Sequence, residues 1–237
     1  MSFLKAEWRK LAIANYVIDK EVLTKYIPNG TELDLWNGNC YVSMVGFMFQ
    51  NTKLLGIKIP FHVNFEEVNL RFYVKRFENG EWKRGVVFIK EIVPKRALTF
   101  VANTVYKEHY ETMPMSHAWL IEKESSSIEY QWQKQGKWNK FKVQTGTEKF
   151  DIDLNSETEF ITEHYWGYAK VNEFKTNEYE VRHPKWKAYK VKHYDIDVDF
   201  GVVYGKEFEF LNKLTPNSVM LAEGSLVSVE SKRTIKM

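Results

Sequence analysis

The stretch FEEVNLRFYVKR, residues 65–76, carries the densest set of reactive side chains in the 237-residue sequence. A strand repeats every two residues, so Glu67, Asn69, Arg71 and Tyr73 share one face and Val68, Leu70, Phe72 and Val74 the other. An acid, an amide, a guanidinium and a phenol in one row can bond to each other and to a polar ligand. In such a site Arg71 would hold a negative group, Asn69 would orient it, Tyr73 would add a hydroxyl, and Glu67 would pair with Arg71 or handle a proton. If the row faces water it is an ordinary wet face, and periodicity alone favours that reading. If it faces a barrel interior, its desolvation demands partners, and a ligand or water is the natural one.

Lys95, in EIVPKRAL (91–98), is the second candidate. A lysine that forms a Schiff base must shed its proton near neutral pH. The adjacent Arg96, the positive end of a helix opening at Pro94, and burial would each favour the neutral amine. The opposing reading is a surface lysine that merely opens a helix.

Other chemistries find less support. The six histidines, His62, His109, His117, His164, His183 and His193, show no metal-ligand spacing, and Cys40 is the sole cysteine. GxSxG, GxGxxG and Walker-type glycine loops are absent from the sequence. Neither a metal nor a cofactor is expected. Cys40 reads as a small buried residue, since a nucleophilic role would need a nearby histidine that sequence cannot show.

These residues must be positioned by a chain that reads as mostly strand. Aromatic residues make up 16% of it, which tilts the expectation toward sheet. Asp19 caps a first helical segment in which Val22, Leu23, Tyr26 and Ile27 have helical spacing and which Pro28 stops. Asn37-Gly38 and Asn79-Gly80 each read as the turn of a hairpin. Leu98, Val101, Ala102, Val105 and Tyr106 form one apolar stripe, predicting a helix over about 94–110. Strands are expected near 117–124, 127–134, 137–145, 178–183, 186–192 and 193–200. Ser156 and Glu159 have capping-box spacing for a short helix toward Tyr165. A segment near 202–212 reads as helix, and 218–230 as one or two strands with a break at Gly224-Ser225. Many consecutive strands with few helices argue for an α+β, β-rich fold, an antiparallel sheet closing toward a barrel with flanking helices.

No linker, repeat or low-complexity tract divides the sequence, so residues 1–237 are expected to form a single domain. The net charge is +3, from 34 basic and 31 acidic residues, too even to suggest a nucleic-acid partner. WKAYKVKHY (186–194) mixes aromatics and lysines as a single-strand groove would, but reads better as a strand with a solvated lysine face. The first residues lack the apolar core of a signal peptide, and no apolar run approaches a membrane span. With one cysteine and no possible intrachain disulfide, a cytoplasmic location is expected. The expected partner is a small-molecule ligand, without membrane or nucleic acid, and a homodimer is reasonable for exposed edge strands.

The pattern NYVIDKEVLTKYIPNGTELDLWNGNCYVSMVGF, then IPFHVNFEEVNLRFYV, then RGVVFIKEIVPKRAL, then YKEHYETMPM resembles the YqjF-like family, which belongs to the acetoacetate decarboxylase-like superfamily. The likeness is densest over about 10–117, and its most specific element is Phe65, Glu67, Asn69, Arg71, Tyr73 and Val74. It implies a cone-like antiparallel barrel with flanking helices around an internal cavity, which turns the Glu67–Tyr73 row inward. In the decarboxylase branch the lysine of a Pro-Lys-Lys sequence forms the Schiff base, with the second lysine or desolvation proposed to lower its pKa. Pro94-Lys95-Arg96 is similar, and Glu67 is similar in position to an active-site glutamate. Two features depart from that branch. Val17 stands where it has an arginine, and the gap between Glu91 and Lys95 differs in length. The resemblance therefore implies three alternatives: a binding protein for a small carboxylate or carbonyl compound, a Schiff-base lyase using Lys95 with Glu67 as acid–base, or an interaction protein without a ligand.

Overall fold

A computed structural model describes residues 2–236. Strands dominate it. The first half contains β1 (Ser2–Ile18), β2 (Glu32–Leu33), β3 (Cys40–Leu54), β4 (Phe65–Glu78), β5 (Glu81–Val93), β6 (Tyr110–Thr112) and β7 (Met115–Ile121). The second half contains β8 (Ser126–Lys134), β9 (Lys137–Asp151), β10 (Trp166–Asn172), β11 (Lys175–Arg182), β12 (Lys187–Asp197), β13 (Ser218–Glu230) and β14 (Arg233–Lys236). Three short helices accompany them: α1 (Arg96–Val101), α2 (Glu157–Thr162) and α3 (Phe200–Tyr204). Among the described residues no helix is long and apolar enough to cross a membrane.

Neighbouring strands run β11-β10-β5-β4-β3-β1-β13, and β13 pairs again with β11 through Val181–Val229 and Arg182–Ser228. The sheet thus closes on itself. Pairing in this circuit is antiparallel except for a short parallel contact between β5 and β10. From β13 the sheet continues outward as β12-β9-β8-β7 and folds back over the barrel wall. Tyr130 of β8 lies so close to β3 that a Cβ on Gly46 would stand 2.8 Å from its ring. The Tyr130 hydroxyl donates to the Lys10 carbonyl at 2.8 Å.

Two apolar clusters result. Between barrel wall and outer layer lie Val42, Met44, Val68, Leu70 and Phe72 with Ile128, Tyr130, Trp132, Phe141 and Val143. Inside the barrel lie Leu11, Val45, Phe47, Phe49, Phe88 and Tyr179, among others. β4 is therefore buried on both faces. This corrects the expectation drawn from periodicity that the polar row faces water. The apolar face of β4 is covered from outside by the folded-over layer, so the Glu67–Tyr73 face has only the barrel interior to point into.

Several local expectations follow the structure closely. Asn79 (φ 54°) and Gly80 (φ 86°) make the left-handed pair that a tight β4–β5 turn requires. Asp19 accepts from the Glu21 amide, although the segment it opens, Lys20–Tyr26, is 3-10 rather than α. Ser156 accepts from the Glu159 amide at 3.1 Å and opens α2. Residues 218–230 form one unbroken strand. Gly224 (φ 79°) lies against β1, where a Cβ would meet the Trp8 carbonyl at 1.9 Å, so glycine permits close approach there instead of a break.

Other expectations differ. The Asn37-Gly38 turn is closed by a single Trp36–Asn39 bridge, because β2 pairs with β4 instead of β3. No expected strand corresponds to β1, β6, β10 or β14, and the two strands expected over 186–192 and 193–200 are one, β12. The predicted helix over 94–110 stops at Val101, continues as one π turn over Ala102–Tyr106, and ends at Lys107 with φ 65°. Asn103 enforces that ending: its amide donates to the Tyr110 carbonyl at 2.9 Å and accepts from the Tyr110 amide at 2.7 Å. The chain is thereby turned back toward the barrel as β6.

Candidate functional site

The barrel encloses a cavity of about 350 Å³. Its walls are mainly apolar: Trp8 and Leu11 of β1, Phe47 and Phe49 of β3, and Val86 and Phe88 of β5. The stripe of the α1 segment closes one side with Leu98, Val101, Ala102 and Tyr106, while Val105 of the same stripe stays exposed. A polar group interrupts these walls. It comprises Glu67, Asn69 and Arg71 of β4, Glu91 of β5, Glu108 just before β6 and Tyr110 at its start, His164 after α2, and Tyr179 of β11.

β4 presents its three polar residues at 2%, 1% and 8% exposure for Glu67, Asn69 and Arg71. Asn69 Nδ2 donates to Glu67 Oε1 at 2.9 Å, and the Tyr110 hydroxyl donates to Glu67 Oε2 at 3.2 Å. Both oxygens of Glu67 thus accept a donor. Burial still dominates its titration and pushes the carboxyl up to about 7, against the opposing pull of these bonds and of Arg71.

Glu91 faces Asn69 directly across the β4–β5 pairing. The register slips between Leu70 and Arg71, which pair with Lys90 and Phe88, so Ile89 is an extra residue on β5. This bulge lets Phe88 and Glu91, three residues apart, both point inward. Burial raises the Glu91 carboxyl well above its ordinary range, and the nearby Glu108 and Glu67 add to the shift. Glu108 accepts from the Tyr179 hydroxyl at 2.7 Å and is pushed up to about 8, again chiefly by burial. The Tyr110 and Tyr179 hydroxyls are raised well above the ordinary tyrosine value by burial and by the same carboxylates. Three carboxyl groups therefore share one low-dielectric space in which they cannot all ionise at low cost.

Arg71 is the cation of this space. Its Nη2 donates to the Ile161 carbonyl at 3.4 Å, and its guanidinium stands 5.7 Å from the Tyr73 ring centroid. Among the described residues no carboxylate forms an ion pair with it, and its Nε is buried without a partner. His164 Nε2 lies 3.1 Å from Asp34 Oδ2, and Asp34 is held in turn by Arg84 Nε at 2.6 Å. Burial pulls the His164 imidazole down to about 4, so it is neutral at physiological pH.

Of the residues singled out in the sequence, Glu67, Asn69 and Arg71 come together in the cavity wall. Tyr73 does not border the cavity. Its hydroxyl donates to Ser43 Oγ at 2.7 Å, Ser43 donates to Asn15 Oδ1 at 2.6 Å, and Asn15 donates to Ser218 Oγ at 2.9 Å. Tyr73 thus belongs to a buried hydrogen-bonded chain behind the site, where its ring also packs on Phe160 and His164. Lys95 does not border the cavity either. It precedes α1 at its N-cap, half-exposed and without a side-chain capping bond, and none of the lining residues is a lysine.

Sequence reasoning missed Glu91, Glu108, Tyr110, His164 and Tyr179 as site residues. Only Glu91 left a readable signal, as an acid set into the apolar run VVFIKEIV. Among the described residues no group of three or more His, Cys, Asp and Glu is arranged to hold a metal ion. Cys40 is buried, and burial pushes its thiol up to about 11, which suits a structural residue.

A closed strand circuit with an outer layer and an internal cavity is the acetoacetate decarboxylase-like fold. Acetoacetate decarboxylase from Legionella pneumophila superimposes with a TM-score of 0.67 at 9% identity, over 98% of this chain and 86% of that one. The enduracididine biosynthesis enzyme MppR complexed with pyruvate gives 0.66 at 10% identity, over 99% and 91%. An acetoacetate decarboxylase-like enzyme from Sphingomonas wittichii RW1 gives 0.65 at 10% identity, over 100% and 94%. At these identities the likeness is one of fold. Within that fold the chain belongs to the DUF2071 family, described as an uncharacterized conserved protein, whose pattern it matches over residues 5–226. It is also similar to the uncharacterized protein YqjF of Bacillus subtilis (strain 168), at 28% identity over 128 residues, 54% of this chain. The chain spans about half the length of that curated relative, 50% of it.

Proposed function

We propose that the barrel is a binding site for a small organic acid, with Arg71 holding the carboxylate and the aromatic walls holding the apolar remainder. One observation carries this reading: a guanidinium buried in the cavity wall has a free Nε and no carboxylate partner. An unpaired buried cation is costly, and an anionic ligand is the partner that removes the cost. A cavity of about 350 Å³ suits a small molecule. The solved complex of MppR with pyruvate, itself a small carboxylate, is a precedent in the same fold.

The reading is non-covalent. A Schiff-base lyase needs a lysine at the reacting carbonyl, and none of the residues lining the cavity is a lysine. Protonated Glu91 or Glu108 can donate to a ligand carbonyl, so the same cavity accepts oxo acids without an imine.

The test is thermal-shift and calorimetric titration with a panel of aliphatic, aromatic and oxo carboxylic acids, on the wild type and on Arg71→Met. Stabilisation by some acids that disappears in Arg71→Met is the expected result. Failure of every acid to bind, or equal binding by the variant, would overturn the proposal. Borohydride reduction with the oxo acids tests the lyase alternative: an adduct on Lys95 would revive it.

A further inference from the structure

Several buried polar atoms of the cavity wall lack a partner, among them Trp8 Nε1, the Tyr106 hydroxyl and His164 Nδ1, and three more lie close together on β4 and β5. Arg71 Nε is a donor without an acceptor. Asn69 Oδ1 and Glu91 Oε2 also lack a partner. The Asn69 amide gives its nitrogen to Glu67 Oε1 and leaves its oxygen without a partner. Asn69 and Glu91 stand directly opposite across two paired strands. Their free oxygens therefore flank one point, two residues along β4 from Arg71, or about 6–7 Å between Cα atoms. Those side chains are long enough to converge on two groups of a single small molecule.

The charge at that point is also defined. Glu67 on β4, Glu91 on β5 and Glu108 before β6 face it, with the Tyr110 and Tyr179 hydroxyls, the cation Arg71 and the neutral His164, and His62 also lines the cavity. Burial holds these carboxyls back from ionising, so the empty space carries no anionic excess, but one of them can ionise to meet an entering cation, a capacity that a neutral donor such as a hydroxyl leaves unused.

We propose that the ligand is an apolar amino acid, its carboxylate on Arg71, its ammonium between Asn69 Oδ1 and the Glu91 carboxylate, and its side chain against Phe47, Phe49 and Phe88. This rests on the organic-acid reading and adds the second recognition point to it. Because burial holds Glu91 protonated in the empty cavity, entry of the ammonium ionises it, and binding releases a proton to solvent.

Isothermal titration of the wild type with phenylalanine and leucine, and with 3-phenylpropanoic and 4-methylpentanoic acids as the matched compounds without nitrogen, tests this. Runs at pH 7.5 in two buffers of different ionisation enthalpy count the protons exchanged. The amino acids are expected to bind about tenfold or more tightly than their matched acids, with net proton release. Glu91→Gln should shrink that ratio to within about twofold. The buffer comparison needs only the wild-type protein and stands even if the variant fails to fold. If the plain acids bind through Arg71 and the amino acids gain nothing, the amino-acid assignment falls while the organic-acid reading survives. If the matched 2-hydroxy acids bind as tightly as the amino acids without proton release, a neutral donor occupies the site and the assignment also falls. If no compound of either series binds, both readings fail.

Discussion

Asn69 and Glu91 stand directly opposite each other on β4 and β5, both in the cavity wall and each with a buried oxygen that lacks a partner. The opposition depends on the extra residue at Ile89, which shifts the β5 register by one and brings Glu91 to the inner face. Without that bulge the alternation of β5 would send Glu91 outward into the apolar layer containing Val68 and Ile92. Local backbone irregularity thus decides which acid enters the site, and the consequences can be measured.

Replacing Arg71 separates stability from binding. A buried guanidinium with no carboxylate partner is a cost to the fold, so Arg71→Met is expected to leave stability unchanged or raise it by about 1–2 kcal/mol. The same variant should lose affinity for organic acids. Denaturant unfolding beside the ligand titration reads both, and a loss of several kcal/mol in stability would show Arg71 to be structural.

The carboxyl cluster makes stability fall as pH rises. Glu67 and Glu108 titrate near 7 and 8 in the folded protein, far above their unfolded value, so between pH 5 and 8 the folded state binds more protons than the unfolded. Their contribution is present in full at low pH and is lost as pH rises through the folded values, at about 1.4 kcal/mol per pH unit per group. His164, held near 4, works in the opposite sense below about 6.5, where the unfolded chain gains a proton and the folded one does not. Above pH 7 the histidine is silent. Unfolding free energy is therefore expected to drop between pH 7 and 8.5, and Glu108→Gln should flatten that slope. A wild-type curve that rises over this interval would refute the assignment.

Gly167 positions the acid indirectly. A Cβ there would stand 2.2 Å from the Tyr179 ring, and the Tyr179 hydroxyl holds Glu108. Gly167→Ala must push that ring aside, so it should cost about 2 kcal/mol or more and free the Glu108 carboxyl. Chemical denaturation measures the first effect, and a changed pH slope of stability reports the second.

Tyr73 and Lys95 supply contrasting controls. Tyr73→Phe removes the first donor of the chain to Ser43, Asn15 and Ser218 and should cost about 1 kcal/mol of stability while acid affinity changes less than about threefold. Lys95→Ala, at a half-exposed N-cap without a capping bond, should change stability by less than about 0.5 kcal/mol and leave affinity alone. A large loss of affinity in either variant would bring that residue back to the ligand.

Much of this architecture was legible in local sequence. Turn chemistry announced Asn79-Gly80, the capping spacing announced Ser156 and Glu159, and period two placed Glu67, Asn69 and Arg71 on one face. Such features depend on neighbours a few residues apart, and the covalent chain alone sets them. The family resemblance, through the same motif, supplied the barrel. What the tertiary structure decided is which way that face points. Val68, Leu70 and Phe72 could cover a core from either side, and only the fold-back of β8 and β9 onto the outside of β3 and β4 turned the polar row inward. The partners of the row were equally out of reach. Glu108, His164 and Tyr179 lie 41, 97 and 112 positions beyond Glu67, on segments without a motif, and strand closure and a bulge bring them to one cavity. Spacing along a chain determines faces, whereas burial and the pKa shifts it causes are properties of what packs against those faces from far away in sequence.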